Sequence, residues 1–130
     1  MQQHRSDELT GYSCPTCGGP LSKHTNGHLT ADTGQSDYQC RIGHRFTPAE
    51  LWVQTCQARN RAVAAAARAV AETVDLARAL AAEARAAGNA PVAARLEDEA
   101  ESEERYVGNL LGMLEGLGDD LGTDDAQIPR

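Results

Sequence analysis

The sequence predicts a mostly α-helical protein with a small zinc-ribbon-like β head and a long antiparallel two-helix hairpin of coiled-coil type. Three observations predict it. Four metal-ligating side chains, Cys14, Cys17, Cys40 and His44, fall in two short pairs within a segment rich in Gly and turn formers. Between Pro48 and Gly88 the chain holds no Gly or Pro and consists chiefly of Ala, Arg, Glu, Leu and Gln. The apolar content is mostly alanine, with one Phe, one Trp and three Tyr. That is too few large side chains for a thick globular core, but it suits helices packed closely together.

The 130 residues allow one small domain or a module with an appendage, not a large catalytic domain. Residues 1–10 are polar throughout and read as a loose, disordered leader without the features of a signal peptide. No apolar run approaches the ~20 residues needed to cross a bilayer, so no membrane association is expected and a cytoplasmic location is. In that compartment a C-x2-C pair reads as metal-binding or redox-active rather than as a structural disulfide.

Residues 11–46 form the head. Gly18-Gly19-Pro20 and Asn26-Gly27 are turn signals. The stretches around Tyr12, Leu21, Leu29 and Tyr38 read as strands of about 3–5 residues. A unit of this size buries too little apolar surface to fold unaided and needs a staple. Cys14-Pro15-Thr16-Cys17-Gly18-Gly19 has the form of a zinc knuckle. Its two-residue gap lets both sulfurs face one ion, and its glycines let the backbone turn tightly and aim N–H groups at them. Cys40-Arg41-Ile42-Gly43-His44 supplies the second pair, with Gly43 giving the freedom that brings His44 round. Three thiolates and one imidazole fill a tetrahedral zinc shell, and a closed shell with no place for water or substrate is structural. One structural zinc ion per chain is expected.

Other readings of these residues fit less well. Small buried thiols would explain the cysteines but not the glycines. A redox dithiol calls for a βαβ setting that the sequence lacks. His24 and His28 read as solvated loop residues, either of which could replace His44 as the fourth ligand, and His4 reads as a surface residue. Cys56 falls on an apolar helical stripe and reads as a small buried hydrophobe.

The helical hairpin spans residues 47–117. Thr47 as N-cap, Pro48 as the first helical residue and Glu50 three places after the cap make a capping box. A helix of roughly 40 residues would be about 60 Å long. Gly88 suits a left-handed C-cap, and Pro91 opens a second helix that runs to about Leu117. So short a connection folds the helices back antiparallel. The first seam is expected along Trp52, Cys56, Arg59, Val63, Ala66, Val70, Thr73, Ala77, Leu80 and Ala84. The second is expected along Leu96, Ala100, Glu103, Val107, Leu110, Leu114 and Leu117. Folding back brings Leu117 level with roughly residue 60, so Leu51 to Cys56, Trp52 included, must pack on the head or on another chain. Residues 118–130 are expected to be a disordered acidic tail.

Charge narrows the function. The net charge is −7, and residues 89–130 carry three basic and eleven acidic side chains, whereas residues 1–47 carry four of each. No region has the basic excess of a phosphate-tracking surface, which counts against nucleic acid as partner. No catalytic motif stands out. Ser13 lacks the second Gly and following helix of a nucleophile elbow, and there is no phosphate-binding loop and no H-E-x-x-H. The acidic run Glu97 to Glu104 reads as a solvated helix face.

The stretches Y-S-C-P-T-C-G-G-P-L (12–21) and Y-Q-C-R-I-G-H-R-F-T-P-A-E-L (38–51) together resemble the C-terminal extension of some chemotaxis protein-glutamate methylesterases (CheB type). In that extension a cysteine knuckle is followed by C-R-x-G-H, an aromatic residue and a long alanine-rich helical pair. The resemblance covers about residues 12–115 and is most specific over 38–51. It implies that Cys14, Cys17, Cys40 and His44 match the metal ligands. Nothing here matches the methylesterase's catalytic Ser, His and Asp, so no esterase activity is carried over. The expectation is a non-catalytic, structural-zinc interaction or assembly module in bacterial signalling. Leu111, Met113 and Tyr106 lie off the main seam, and a homodimer forming a four-helix bundle would cover them. The protein partner is not legible. The alternative is a nucleic-acid-binding zinc-ribbon regulator contacting its target through Lys23, Arg41, Arg45, Tyr12 and Tyr38.

Overall fold

In a computed structural model, residues 8–25 and 36–119 are described. The strand expected around Leu29, His28, most of the leader and the tail beyond Asp119 lie outside the described residues. Four strands, β1 (Glu8–Ser13), β2 (Pro20–Thr25), β3 (Ser36–Cys40) and β4 (Arg45–Phe46), precede two helices, α1 (Pro48–Ala86) and α2 (Ala90–Asp119). The chain divides between Arg59 and Asn60 into two compact units.

In the first unit the strands pair antiparallel in the order β1-β2-β3-β4. β1 opens at Glu8, so Glu8, Leu9 and Thr10, assigned by sequence to the leader, belong to this strand, and Glu8 and Leu9 pair with β2. Between the Leu9–Ser22 and Ser13–Pro20 pairs β1 bulges, and Gly11 takes up the extra length at φ +76°. The Thr10 hydroxyl fills the gap, donating to the Leu21 carbonyl at 2.9 Å and accepting from the Tyr12 N–H at 3.1 Å. β4 has only two residues, pairing Tyr38 with Phe46 and Gln39 with Arg45. In this meander the β1–β2 and β3–β4 turns emerge at the same end of the sheet.

The core of this unit is small: Cys14, Leu21, Cys40 and Phe46, with Tyr38 and Leu51 packed against it. Leu21 is completely buried. Leu51, in the first turns of α1, therefore packs on the head, and Cys56 is buried as expected. Trp52 does not follow them and is 63% exposed. The helix starts at the expected capping box. The Glu50 carboxylate accepts from the Thr47 N–H at 2.9 Å, and the Thr47 hydroxyl accepts from the Glu50 N–H at 3.2 Å.

The second unit holds the antiparallel helical pair. α1 ends in a Schellman motif. Gly88 sits at φ +77°, its N–H donates to the Arg85 carbonyl at 3.1 Å, and the Asn89 N–H donates to the Ala84 carbonyl at 2.8 Å. The buried seam of α2 follows the expected positions and begins one turn earlier, at Ala93. In α1 the seam differs. Val63, Val70, Ala77 and Ala84 lie on it, but their companions are Asn60, Ala67, Val74 and Ala81, while Arg59, Ala66, Thr73 and Leu80 are exposed. The correction is a rotation by one residue in alternate turns. α2 contributes Leu96, Val107, Leu110 and Leu114, and the small side chains Ala67, Ala77 and Ala81 let the helices approach closely. Val74, Ala77 and Ala100 form the buried cluster, and Arg78–Glu104 (2.7 Å) and Arg85–Glu97 ion pairs line one flank. No helix among the described residues is long and apolar enough to cross a membrane.

Candidate metal centre

Both metal-ligand pairs sit in turns at one end of the sheet. Cys14 follows directly on β1. Its N–H donates to the Gly19 carbonyl at 2.7 Å, and its carbonyl accepts from the Gly18 N–H at 2.8 Å. This closes the knuckle, with Gly18 at φ +74°. Cys40 ends β3, where its N–H donates to the His44 carbonyl at 3.1 Å and its carbonyl accepts from Gly43 at 3.0 Å. Gly43, at φ +102°, provides the reversal that returns His44 toward Cys40. The Leu21–Cys40 pairing across β2 and β3 locks the two turns together.

The result is a compact Cys3His cluster. Cys14, Cys17, Cys40 and His44 each offer one ligand atom, and all four atoms lie within 4.8 Å of one another. Cys17 Sγ is 3.7 Å from Cys40 Sγ, and His44 Nδ1 is 3.4 Å from Cys40 Sγ and 3.7 Å from Cys14 Sγ. A tetrahedral zinc site with Zn–S near 2.3 Å and Zn–N near 2.0–2.1 Å has S···S edges of about 3.8 Å and S···N edges of about 3.5–3.6 Å. The cluster thus has dimensions compatible with one zinc ion, bound through His44 Nδ1. A sulfur separation of 3.7 Å also excludes a Cys17–Cys40 disulfide, whose sulfurs would stand about 2.05 Å apart.

The electrostatics suit a cation. Burial opposes charge on Cys40, but the N–H groups of His44 and Ile42, with contacts from Cys17 and His44, bring its thiol down to about 6. At Cys17 the Gly19 N–H favours the thiolate. Burial and the neighbouring Cys14 and Cys40 sulfurs outweigh it and raise this thiol above its ordinary value. Neighbouring sulfurs that resist sharing negative charge are stabilised together by a metal ion between them. A Cβ at Gly19 would stand 3.4 Å from Cys17 Sγ, at the near edge of ordinary contact.

The other candidates stand apart from this cluster. His24 lies toward the opposite end of β2, in register with Asp37. Cys56 is buried with a free thiol and belongs to no ligand group among the described residues. Two supports escaped sequence reasoning: the Ile42 and His44 N–H groups aimed at Cys40, and Phe46 as the core residue beneath the site. The signal for Phe46 was its status as the single phenylalanine, two residues after a ligand. Comparison of the chain with protein-family models, curated proteins and solved structures finds no match.

Proposed function

We propose that this chain is a non-catalytic interaction or assembly module whose head is held together by one structural zinc ion. The observation that carries the reading is the Cys3His donor set, four protein atoms within 4.8 Å of one another with three of their separations at 3.4–3.7 Å, which would fill a tetrahedral zinc shell. A shell of that kind leaves no site for a metal-bound water or substrate. The likeness of 12–21 and 38–51 to the extension of chemotaxis methylesterases supports a role in bacterial signalling, with a protein rather than a small molecule as partner.

Metal analysis of protein purified under reducing conditions tests the proposal. The expected result is one equivalent of zinc, with chelation opening residues 8–46 to protease while most helical signal persists. Far less than one equivalent of metal, or a metal centre that hydrolyses model substrates, would sink it. The exposed Arg41 and Arg45 beside the site give the nucleic-acid alternative its one specific support. A mobility-shift assay at low salt separates the two, because phosphate binding would be strong there and fall steeply as salt rises.

A further inference from the structure

The four donors of the cluster are unequally sheltered. Cys14 and Cys40 are 2% and 4% exposed and His44 is half-buried, whereas Cys17 is exposed. The turns that carry them account for the difference. Cys14 follows directly on β1 and Cys40 ends β3, so both join the small core with Leu21 and Phe46. Cys17 stands within the turn that closes from Cys14 to Gly19, between the exposed Thr16 and Gly18. Its sulfur is nevertheless 3.7 Å from Cys40 Sγ. The cluster thus sets an exposed cysteine against a buried one, with their sulfurs in contact. The fourth cysteine, Cys56, is 5% exposed and outside the cluster, and residues 60–130 contain none.

We infer that Cys17 and Cys40 form a peroxide-sensitive release for the metal. The inference concerns the regulation of that same site and rests on the structural-zinc reading. Zinc ligation makes all three cysteines of the cluster thiolates, so access decides which of them an oxidant reaches first. That sulfur is the one on the exposed Cys17. Its thiolate attacks the O–O bond of a hydroperoxide. An S–O bond forms and the O–O bond breaks. The sulfur loses two electrons to the peroxide, and the departing alkoxide or hydroxide takes a proton from water. The Cys40 thiolate, 3.7 Å away, then attacks the Cys17 sulfur. The S–S bond forms, the S–O bond breaks, and the departing hydroxide takes a second proton. Two thiolates, one hydroperoxide and two protons thus become one disulfide, one water and one alcohol, or a second water where the oxidant is hydrogen peroxide. Only Cys14 and His44 remain as donors, and two donors do not fill a four-coordinate shell. Loss of the ion removes the binding energy that folds the head. The helical pair, without a cysteine, is untouched, and a thiol reductant reverses the disulfide.

Hydrogen peroxide added to the full zinc-loaded chain, freed of reductant, tests this. Zinc release is followed with a chromogenic chelator, and the cysteines are mapped by alkylation and mass spectrometry. The expected result is one zinc ion released per disulfide formed, with Cys17 joined to Cys40 and Cys56 still open to alkylation after denaturation. Dithiothreitol with added zinc should restore the bound metal and the protease resistance of the head. Cys17→His keeps a four-donor shell and removes the exposed thiolate, so its zinc release in peroxide should be at least ~10-fold slower. Cys56→Ser should release zinc at the parent rate. Zinc retained by the parent chain in excess peroxide overturns the inference, as does a disulfide joining any other pair. So does a Cys17→His chain that holds zinc and loses it to peroxide as fast as the parent. A chain that carries zinc and keeps it in peroxide overturns the release alone, whereas a reduced chain that carries no zinc overturns the metal reading and the release with it.

Discussion

The head and the helical pair solve the same problem, too few large apolar side chains, in different ways. Among the described residues the head closes on four buried side chains, two of which belong to the candidate metal cluster. The helical pair spreads its packing over a long seam of mostly small residues, with Val74, Ala77 and Ala100 as its buried cluster. One structure is therefore held at a point and the other along a line. Losing a single group should collapse the first and only loosen the second.

Removing a ligand gives the largest expected effect. Cys40→Ser should abolish zinc retention and the head's protease resistance, because metal binding in such small units is worth about 10–16 kcal/mol and is itself folding energy. The helical circular dichroism should be largely retained. If Cys40→Ser keeps its zinc and its protease resistance, the contrast between the two regions fails.

Acid should separate the regions in the same sense. The folded head holds Cys40 as a thiolate down to about pH 6, against an ordinary thiol value of 9.0. Stability from this group is therefore complete above about pH 9, erodes as pH falls toward 6 and is gone below it. For zinc uptake by the folded head, Cys40 has no proton to release above about pH 6 and one to release below it. Affinity should then fall by an additional ~tenfold per pH unit on the acid side. A zinc titration across pH 5 to 8 with no such break would remove the assignment of Cys40 as the low-pH thiolate.

The two regions also differ in how much of them could be read from the residues. The clustering of Cys14, Cys17, Cys40 and His44 was legible, because the short gaps and the glycines beside them encode local geometry. The capping box, Gly88 and the seam of α2 were legible for the same reason. Two things were not. β4 is two residues long, which is too short for alternation to register. The α1 seam was misplaced on alternate turns because Ala66 and Ala67 are equally apolar, as are Leu80 and Ala81 in sign. Periodicity gives α1 two nearly equivalent stripes that share Val63, Val70, Ala77 and Ala84. The choice between them is made by the partner helix, which accepts Ala81 and turns Leu80 outward.

That choice gives the next effect in size. Ala81 is 1% exposed, so Ala81→Leu should force the helices apart and cost about 1–3 kcal/mol. Thermal unfolding should show the loss, with zinc content unchanged. The same enlargement one position away, Ala82→Leu, falls on an exposed site and should be nearly silent. Equal losses at 81 and 82 would mean that the seam is wrongly placed.

The smallest effect lies at the start of α1, within the first unit. Thr47 follows the buried Phe46 and caps the helix whose Leu51 packs on the head core. Thr47→Ala should cost about 1 kcal/mol, the usual worth of an N-cap, and fray the first turn of α1 without releasing zinc. The reciprocal bond from the Thr47 N–H holds the Glu50 carboxyl below its ordinary value of 4.5. This contribution is present above about pH 4.5 and is lost as pH falls below it. Hydrogen exchange locates the effect, since Thr47→Ala should speed exchange at residues 48–51 and leave the amides near Cys14 and Cys40 protected. If those knuckle amides open as well, the cap is part of the head's own fold and not a local feature of the first turn of α1.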